Sequence, residues 1–598
     1  SGDGMQLTGN QFSDNTAIFG NDLNTLPDFP AEIRAPAGSL FGVSSFQLQF
    51  GNREVYTAGD DLDVLVAMNP AALKVHRCDL KEHGLLVINT DNFTPKNLKL
   101  AKWDTNPIDD QKLLSKYRSI TVSMTTVVKN ALEDFELTPK EKMRSTNMFA
   151  LGLVYWLYER QLEPTIDFLN KKFSKKPIIA KSNIKSLKTG YYYGETIEAI
   201  KTTYKIDKAK FDKGKYRNIM GNHAISLGLL AGSIKSNLDL FFAGYPITPA
   251  SDVLKYLSNY KNFGVKTFQA EDEIAAITSI LGASFAGKLG VTASSGPGIA
   301  LKGEAIGLGV ITELPLIILN IQRGGPSTGL PTKTEQSDLN QAMFGRNGEC
   351  PSVVIAAKSP SDCFNAAFEA CKIALEFMVP VVLLSDGYIA NGSEPWKIPQ
   401  MDELDSIDVK FADAPNSKEE FLPYLRNEDT LARPWAIPGT EGLEHRVGGI
   451  ETEENTGHVS YDPENHHKMV LLRQEKVNRV QNDLPETDVF GEKNGDLLVL
   501  SWGGTYGACR SAAETLQEER KKVSHVHLRW ISPLPKDLGE ILIHFKNILV
   551  PEINLGQLLR LIRSEYLVDA KGLNLVRGRP IGAATIIETV NNILGKKS

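Results

Sequence analysis

The chain has 598 residues, five cysteines and a formal net charge of −6, from 66 basic and 72 acidic side chains. Both signs are interspersed, which argues against nucleic acid as the main partner, and no apolar run reaches the roughly 18 residues of a membrane helix. Cys78, Cys350, Cys363, Cys371 and Cys509 form no C-x-x-C pair, so neither a disulfide framework nor an iron–sulfur cluster is expected in this chain, and a reducing cytoplasm fits.

A chain of this length holds about three or four domains by the usual prior. Ser1-Gly2-Asp3-Gly4 opens it, and a first β-strand is expected ahead of that point. The run from Ser1 to Gly9 reads as a glycine-rich turn leading into a helix, where backbone N–H groups can receive an anion. Apolar strands are expected at Asp61–Met68, Gly84–Asn89 and Ser119–Ser123, with helical stretches between them and an apolar helix over Asn147–Tyr158, the pattern of a parallel α/β domain. Gly2-Asp3-Gly4 imitates the start of a magnesium-diphosphate motif. The window that would complete it, Asp28–Ile33, has no paired asparagines, so no metal is assigned there. From Lys171 to Arg217 the chain turns lysine-rich and polar, which predicts a linker. A docking patch for an acidic electron carrier is the alternative reading of those lysines.

The central part, residues 218–400, starts with a small-residue helix over Gly221–Ser233 and then alternates strand and helix. Strands are expected at Leu238–Ala243, Leu289–Thr292, Leu314–Ile321, Ser352–Ala356 and Val381–Leu384. After the first of these, Tyr245-Pro246-Ile247-Thr248-Pro249 fixes two φ angles and removes two N–H donors, which forces a rigid corner before a helix starting at Ala250 or Ser251. A second βα step places Gln269-Ala270-Glu271 ahead of an apolar helix over Ile274–Ala286. Thr248 and Glu271 thus both fall at strand-to-helix turns, the edge of a parallel sheet where ligands bind. Arg323 follows the expected strand Leu314–Ile321 and can reach the same edge. Its planar fork suits a carboxylate. Thr292–Gly298 is a βα turn or an anion cradle, with the turn preferred. Asp386-Gly387 with Asn391 is a second, shorter imitation of the metal motif.

Residues 401–485 are polar and too long for an ordinary loop. His458, His466 and His467 lie among Glu451, Glu453, Glu454 and Glu464, but their spacing matches no standard metal set, and an extended structural connector is expected. Residues 486–598 form a third α/β unit with strands at Asp496–Ser501, Val523–Leu528 and Ile548–Pro551.

Three motifs in this order, Tyr245–Pro249, Gln269–Glu271 and Gln322–Gly329 (QRGGPSTG), resemble the alpha subunit of 2-oxoacid:ferredoxin oxidoreductases, most closely the gamma–alpha fused form that acts on 2-oxoglutarate. The resemblance extends, with varying strength, from the first residues to Ile593. It implies three doubly wound parallel-sheet domains: a gamma domain over 1–170 and, after a linker over 171–217, a pyrimidine-type thiamine diphosphate domain over 218–400. A connector over 401–485 then leads to a C-terminal swivelling domain over 486–598. It further implies that Glu271 contacts the thiamine aminopyrimidine, with Asp272 and Glu273 as rival carboxylates. Thr248 and Arg323 would contact the substrate, with Tyr245, Pro246, Ile247, Ser327 and Thr328 in the substrate loops. A beta subunit would hold Mg2+, most of the thiamine diphosphate and a [4Fe-4S] cluster in an alpha2beta2 assembly, with coenzyme A as acyl acceptor and ferredoxin as electron carrier. No metal is expected in this chain. Pyruvate or a branched-chain 2-oxoacid is the alternative substrate, Arg346 is a basic candidate for a distal carboxylate, and a non-catalytic scaffold is the alternative of another class.

Overall fold

The computed structural model describes residues 4–30, 38–196, 203–418 and 420–595. The chain divides into two compact units, residues 1–218 with 394–396, and residues 219–393 with 397–598.

The first unit contains the three expected parallel strands, Leu62–Ala67, Leu80–Asn89 and Arg118–Val122, in that spatial order. The unit also holds an antiparallel pair, Asp22–Asp28 with Ser45–Gly51; the second strand alternates Phe46, Leu48 and Phe50 with polar residues, while the first contains Pro27. Helix Met5–Phe19 begins after Gly4; Ser1, Gly2 and Asp3 lie outside the described residues.

The expected linker is different in substance. Within it, Pro177–Thr196 is a 20-residue helix, and its buried stripe of Ser182, Ser186, Gly190 and Gly194 repeats every fourth residue. That stripe packs on helix Thr146–Leu157 so closely that a Cβ on Gly190 would lie 1.9 Å from the Phe149 carbonyl oxygen, and one on Gly152 would lie 2.0 Å from that of Leu187. Its lysines, Lys181, Lys185 and Lys188, occupy the exposed face. Composition alone hid a helix whose packing surface is made of small residues.

The second unit is built on a seven-stranded sheet. Six of its strands are parallel: β1 (Leu240–Gly244), β2 (Lys266–Gln269), β3 (Leu289–Ser294), β4 (Leu316–Gln322), β5 (Val353–Ala356) and β6 (Pro380–Asp386). Their spatial order is β2-β1-β3-β4-β6-β5, so the winding reverses between β1 and β3. Strands β3, β4 and β6 are buried along their whole length, as a sheet covered on both faces requires. A second sheet, residues 489–574, places four parallel strands beside one short antiparallel edge strand. The two sheets share one apolar core that runs from Leu316 and Ile318 to Leu498, Leu500 and Trp502. In addition, Trp530–Ser532 leaves the second sheet's region to pair antiparallel with β5. The expected third α/β unit is present, and it folds together with the second around a common interior.

The polar connector is largely irregular, with one long helix, Pro463–Arg479. It is pinned by charge. Buried Glu313 accepts hydrogen bonds from Arg426 (Nε 3.1 Å) and from Lys476, while Arg433 donates to the Thr312 carbonyl at 2.9 Å. Burial alone would raise the Glu313 carboxyl, but Lys476 and Arg426 overcome it and hold the group down at about 2. A depressed folded value means that Glu313 stabilises the fold above its unfolded pKa, and that this is lost as pH falls from about 4.5 toward 2. Glu313→Gln is expected to destabilise the chain by about 3–5 kcal/mol near neutral pH, because two buried cations lose their partner. Urea unfolding followed at pH 7 and pH 3 measures the loss, which should shrink at the lower pH.

Candidate active site

The winding reversal between β1 and β3 puts a crevice at the carboxyl ends of these strands. The predicted residues gather around it. Past Gly244 the chain turns through Tyr245–Pro249, and Ala250 N–H closes the corner on the Ile247 carbonyl at 2.8 Å before helix Ser251–Leu257 begins. Asn222 Nδ2 donates to the Pro249 carbonyl at 2.9 Å and fixes the corner from below. Tyr245, Pro246 and Thr248 are exposed, and Ile247 is half-buried.

Arg323, one residue beyond β4, is nearly buried and donates from Nη1 to the Thr248 carbonyl oxygen at 2.7 Å. Its Nε is buried without a hydrogen-bond partner. Two of the predicted substrate residues are therefore in direct contact across 75 positions of sequence. The Gln269–Glu271 turn is tied to the same corner by Ala270 N–H donating to the Gly244 carbonyl at 3.0 Å.

The structure separates the three rival carboxylates. Asp272 is the N-cap of helix Glu273–Phe285 and accepts from Ala275 N–H at 2.7 Å. Glu273 is buried, and its side chain points inward, with Oε1 only 2.8 Å from where a Cβ on Gly298 would sit. Glu271 is exposed at the turn and, unlike Asp272, caps no helix.

Around the crevice lies a set of buried polar atoms without partners: Thr292 Oγ1, Ser294 Oγ and Ser295 Oγ at the end of β3, Asn320 Oδ1 on β4 and Ser385 Oγ on β6. Buried polar groups are ordinarily satisfied. Their concentration at one sheet edge marks a floor that water or a ligand completes. Beside Arg323, burial pushes the Asp338 carboxyl up to about 6, with Glu335 adding to the rise against the Asn320 hydrogen bond and the Arg323 charge. Asp338 Oδ2 accepts from Asn320 Nδ2 at 3.2 Å. Lys302 is fully buried, donates to the Glu273 carbonyl at 2.8 Å, and is drawn down to about 8 by desolvation.

Ser327 and Thr328 sit on the exposed loop that follows Arg323. The loop folds back on itself through Gly324 N–H to Lys333 O (2.9 Å) and Leu330 N–H to Gly324 O (2.8 Å). Gly329 at φ +50° faces the Gly324 carbonyl so closely that a Cβ would lie 2.2 Å from it, which only glycine permits. Arg346 does not serve a distal carboxylate. Its guanidinium is consumed by the Ala342, Met343 and Cys350 carbonyls and by Ser352 Oγ, at 2.8–3.3 Å.

Sequence reasoning missed Lys302, Glu335 and Asp338. A lone lysine in the small and apolar run from Gly296 to Gly309 was a usable signal for the first; the acids carried none. Asp386 and Asn391 are spent locally, Asp386 as a helix N-cap that also receives Thr334 Oγ1 and Asn391 on the Gly387 carbonyl. Among the described residues no group of His, Cys, Asp and Glu could hold a metal, and no helix is long and apolar enough to cross a membrane. Glu271, an exposed carboxyl at a strand-to-helix turn, has the chemistry to hydrogen-bond a ring nitrogen such as that of the thiamine aminopyrimidine.

Residues 232–463 match the family model described as "Pyruvate flavodoxin/ferredoxin oxidoreductase, thiamine diP-bdg", and residues 1–193 match "Pyruvate ferredoxin/flavodoxin oxidoreductase". The 2-oxoglutarate oxidoreductase subunit KorA of Mycobacterium tuberculosis is 51% identical over 579 residues, spanning 97% of this chain and 88% of that protein. Subunit alpha of 2-oxoacid:ferredoxin oxidoreductase 1 from Aeropyrum pernix is 28% identical over 80% of this chain and 75% of its own length. A solved structure, the 2-oxoglutarate:ferredoxin oxidoreductase from Magnetococcus marinus with 2-oxoglutarate, coenzyme A and succinyl-CoA bound, superimposes with a TM-score of 0.85 at 30% identity, over 99% of this chain and 97% of that one.

Proposed function

The chain belongs to the pyruvate ferredoxin/flavodoxin oxidoreductase family, and from that premise we propose that it is the alpha-type subunit of a 2-oxoglutarate:ferredoxin oxidoreductase. The complex converts 2-oxoglutarate and coenzyme A to succinyl-CoA and carbon dioxide, passing the electrons to ferredoxin, or runs the reverse. The observation that carries this reading is the Arg323 guanidinium anchored on the Thr248 carbonyl at the crevice, beside the turn that presents Glu271.

Arg323 binds and orients the carboxylate next to the reacting keto group, with Thr248 as its hydroxyl neighbour. Anchoring Nη1 on the protein leaves the rest of the fork for the ligand. Glu271 would hold thiamine diphosphate by a hydrogen bond at N1′ of the aminopyrimidine, and the cofactor, when bound, would supply the electron sink that decarboxylation of a 2-oxoacid needs. Tyr245, Pro246, Ile247, Ser327 and Thr328 wall the substrate off from water.

A beta subunit completes the site. Tyr245, Phe268, Ile274 and Leu301 are each roughly half exposed and lie on β2 or on turns and helix ends at this edge, an apolar rim of the kind a partner covers. That partner supplies Mg2+, the diphosphate contacts and a [4Fe-4S] cluster, in an alpha2beta2 assembly. Five free cysteines, three of them buried, suit a cytoplasmic location.

The test is viologen reduction by this chain co-expressed with its beta subunit, compared on 2-oxoglutarate, pyruvate and 3-methyl-2-oxobutanoate. Turnover on 2-oxoglutarate that requires coenzyme A is expected. Preference for another acid would keep the chemistry and overturn the substrate.

A further inference from the structure

The segment that follows the Arg323 loop is held by the end of β6 and by the second sheet. Thr334 closes the loop by donating from Oγ1 to Asp386 Oδ1 at 2.8 Å, and Glu335 Oε2 accepts from Gly325 N–H at 3.4 Å and from Ser337 Oγ at 2.6 Å. Next comes Gln336, with no exposed surface. Its Nε2 donates to the Trp502 carbonyl at 2.6 Å, its Oε1 accepts from Ile553 N–H at 3.3 Å, and its own carbonyl accepts from Asn554 Nδ2 at 2.8 Å. Its N–H donates to the Ile553 carbonyl at 3.4 Å. Gln557 adds two more bonds, Nε2 to the Ser337 carbonyl at 2.7 Å and Oε1 from Asn340 N–H at 2.9 Å.

Trp502 ends one strand of the second sheet, and Ile553 follows directly on its neighbour Ile548–Glu552. The landing site is itself rigid. Buried Glu552 accepts from Trp502 Nε1, Asn554 Nδ2, Leu558 N–H and Leu559 N–H at 2.9–3.1 Å, and Asn554 Oδ1 accepts from Gly556 and Gln557 N–H. Gly503, at φ +54°, admits the Gln336 amide; a Cβ there would stand 2.7 Å from Nε2.

We propose that Gln336 is a positioning residue for the oxoacid: by fastening the stem of the Arg323–Thr334 loop to the carboxyl edge of the second sheet, it sets where the Arg323 fork and the Ser327–Thr328 tip lie. This rests on the reading of Arg323 as the carboxylate clamp. A neutral, fully bonded amide suits the task, since it fixes direction at both ends without adding charge beside the anion. Asp338, two residues on and facing Arg323, is carried by the same stem, so a slipped stem would move the counter-charge as well as the loop.

The experiment uses the alpha–beta complex and measures steady-state viologen reduction with 2-oxoglutarate and coenzyme A varied separately. Gln336→Met keeps the volume and removes the two side-chain bonds, to the Trp502 carbonyl and from Ile553 N–H. It is expected to raise the 2-oxoglutarate KM about tenfold, the scale of losing buried hydrogen bonds, with the coenzyme A KM unchanged and kcat within about twofold. Gly503→Ala, which presses on the same amide from the second sheet without touching the loop, should copy that pattern if Gln336→Met expresses poorly. Combining Gln336→Met with Arg323→Lys should cost less than the product of the two single effects, since one residue acts through the other. An unchanged 2-oxoglutarate KM in both Gln336→Met and Gly503→Ala, with or without loss of stability, would overturn the proposal while leaving the clamp in place. An unchanged KM in Arg323→Lys alone would overturn the clamp and the proposal with it.

Discussion

Replacing Glu271 with glutamine is expected to lower 2-oxoglutarate-dependent viologen reduction by about 10²–10⁴-fold, the range over which a positioned acid or base contributes to a rate. The choice among Glu271, Asp272 and Glu273 follows from what each already does. Asp272 is committed to the cap of helix Glu273–Phe285, and Glu273 is packed inward against Gly298 and Ser294. Glu271 is exposed at the strand-to-helix turn and caps no helix. Glutamine keeps its size and can still accept a hydrogen bond, but it cannot hold and release a proton. The variant should therefore retain thiamine diphosphate binding, read as quenching of intrinsic fluorescence in the assembled complex, while losing turnover. Full turnover in the glutamine variant would instead make the chain a scaffold for its partner.

The second large effect is at Arg323. Arg323→Lys is expected to lower kcat/KM for 2-oxoglutarate by about 10²–10³-fold, mostly through KM, because breaking a buried, hydrogen-bonded charge pair costs a few kcal/mol. Lysine conserves the charge and loses the fork. It cannot donate to the Thr248 carbonyl and also grip a carboxylate through two parallel bonds. Asp338 and Glu335 remain nearby, and a mobile ammonium would turn toward them. Steady-state kinetics on the assembled complex, with coenzyme A saturating, measures the change. A loss confined to kcat would place Arg323 outside the ground-state contact with the acid.

The two residues differ in how their positions could be read. Glu271 lies in a local signal: a short strand, Lys266–Gln269, then a polar turn and an apolar helix, which put it at the carboxyl edge whatever lies beyond. The Tyr245–Pro249 corner is legible for the same reason, since two prolines restrict the backbone within five residues. Arg346 shows the opposite case. In sequence it is one more arginine after the loop, and only the folded turn around Cys350 reveals that its donors are already used.

The helix Pro177–Thr196 was hidden because its packing face is made of serine and glycine, which carry no hydrophobic signal and act by letting backbones approach. The antiparallel pairing of Asp22–Asp28 with Ser45–Gly51 was hidden because pairing is a property of two segments, and Asp22–Asp28, with Pro27, carries no strand pattern of its own.

Strand period, turn chemistry and the location of the candidate acid and clamp follow from interactions within a few residues of the chain, and these the amino-acid order carries openly. The Arg323 to Thr248 bond, the Gln336 bonds to Trp502 and Asn554, and the Glu313 cluster with Arg426 and Lys476 join residues 75 to 218 positions apart. No local preference encodes such pairs, since each becomes favourable only after the sheets have brought buried donors and acceptors together and removed the water that would otherwise satisfy them.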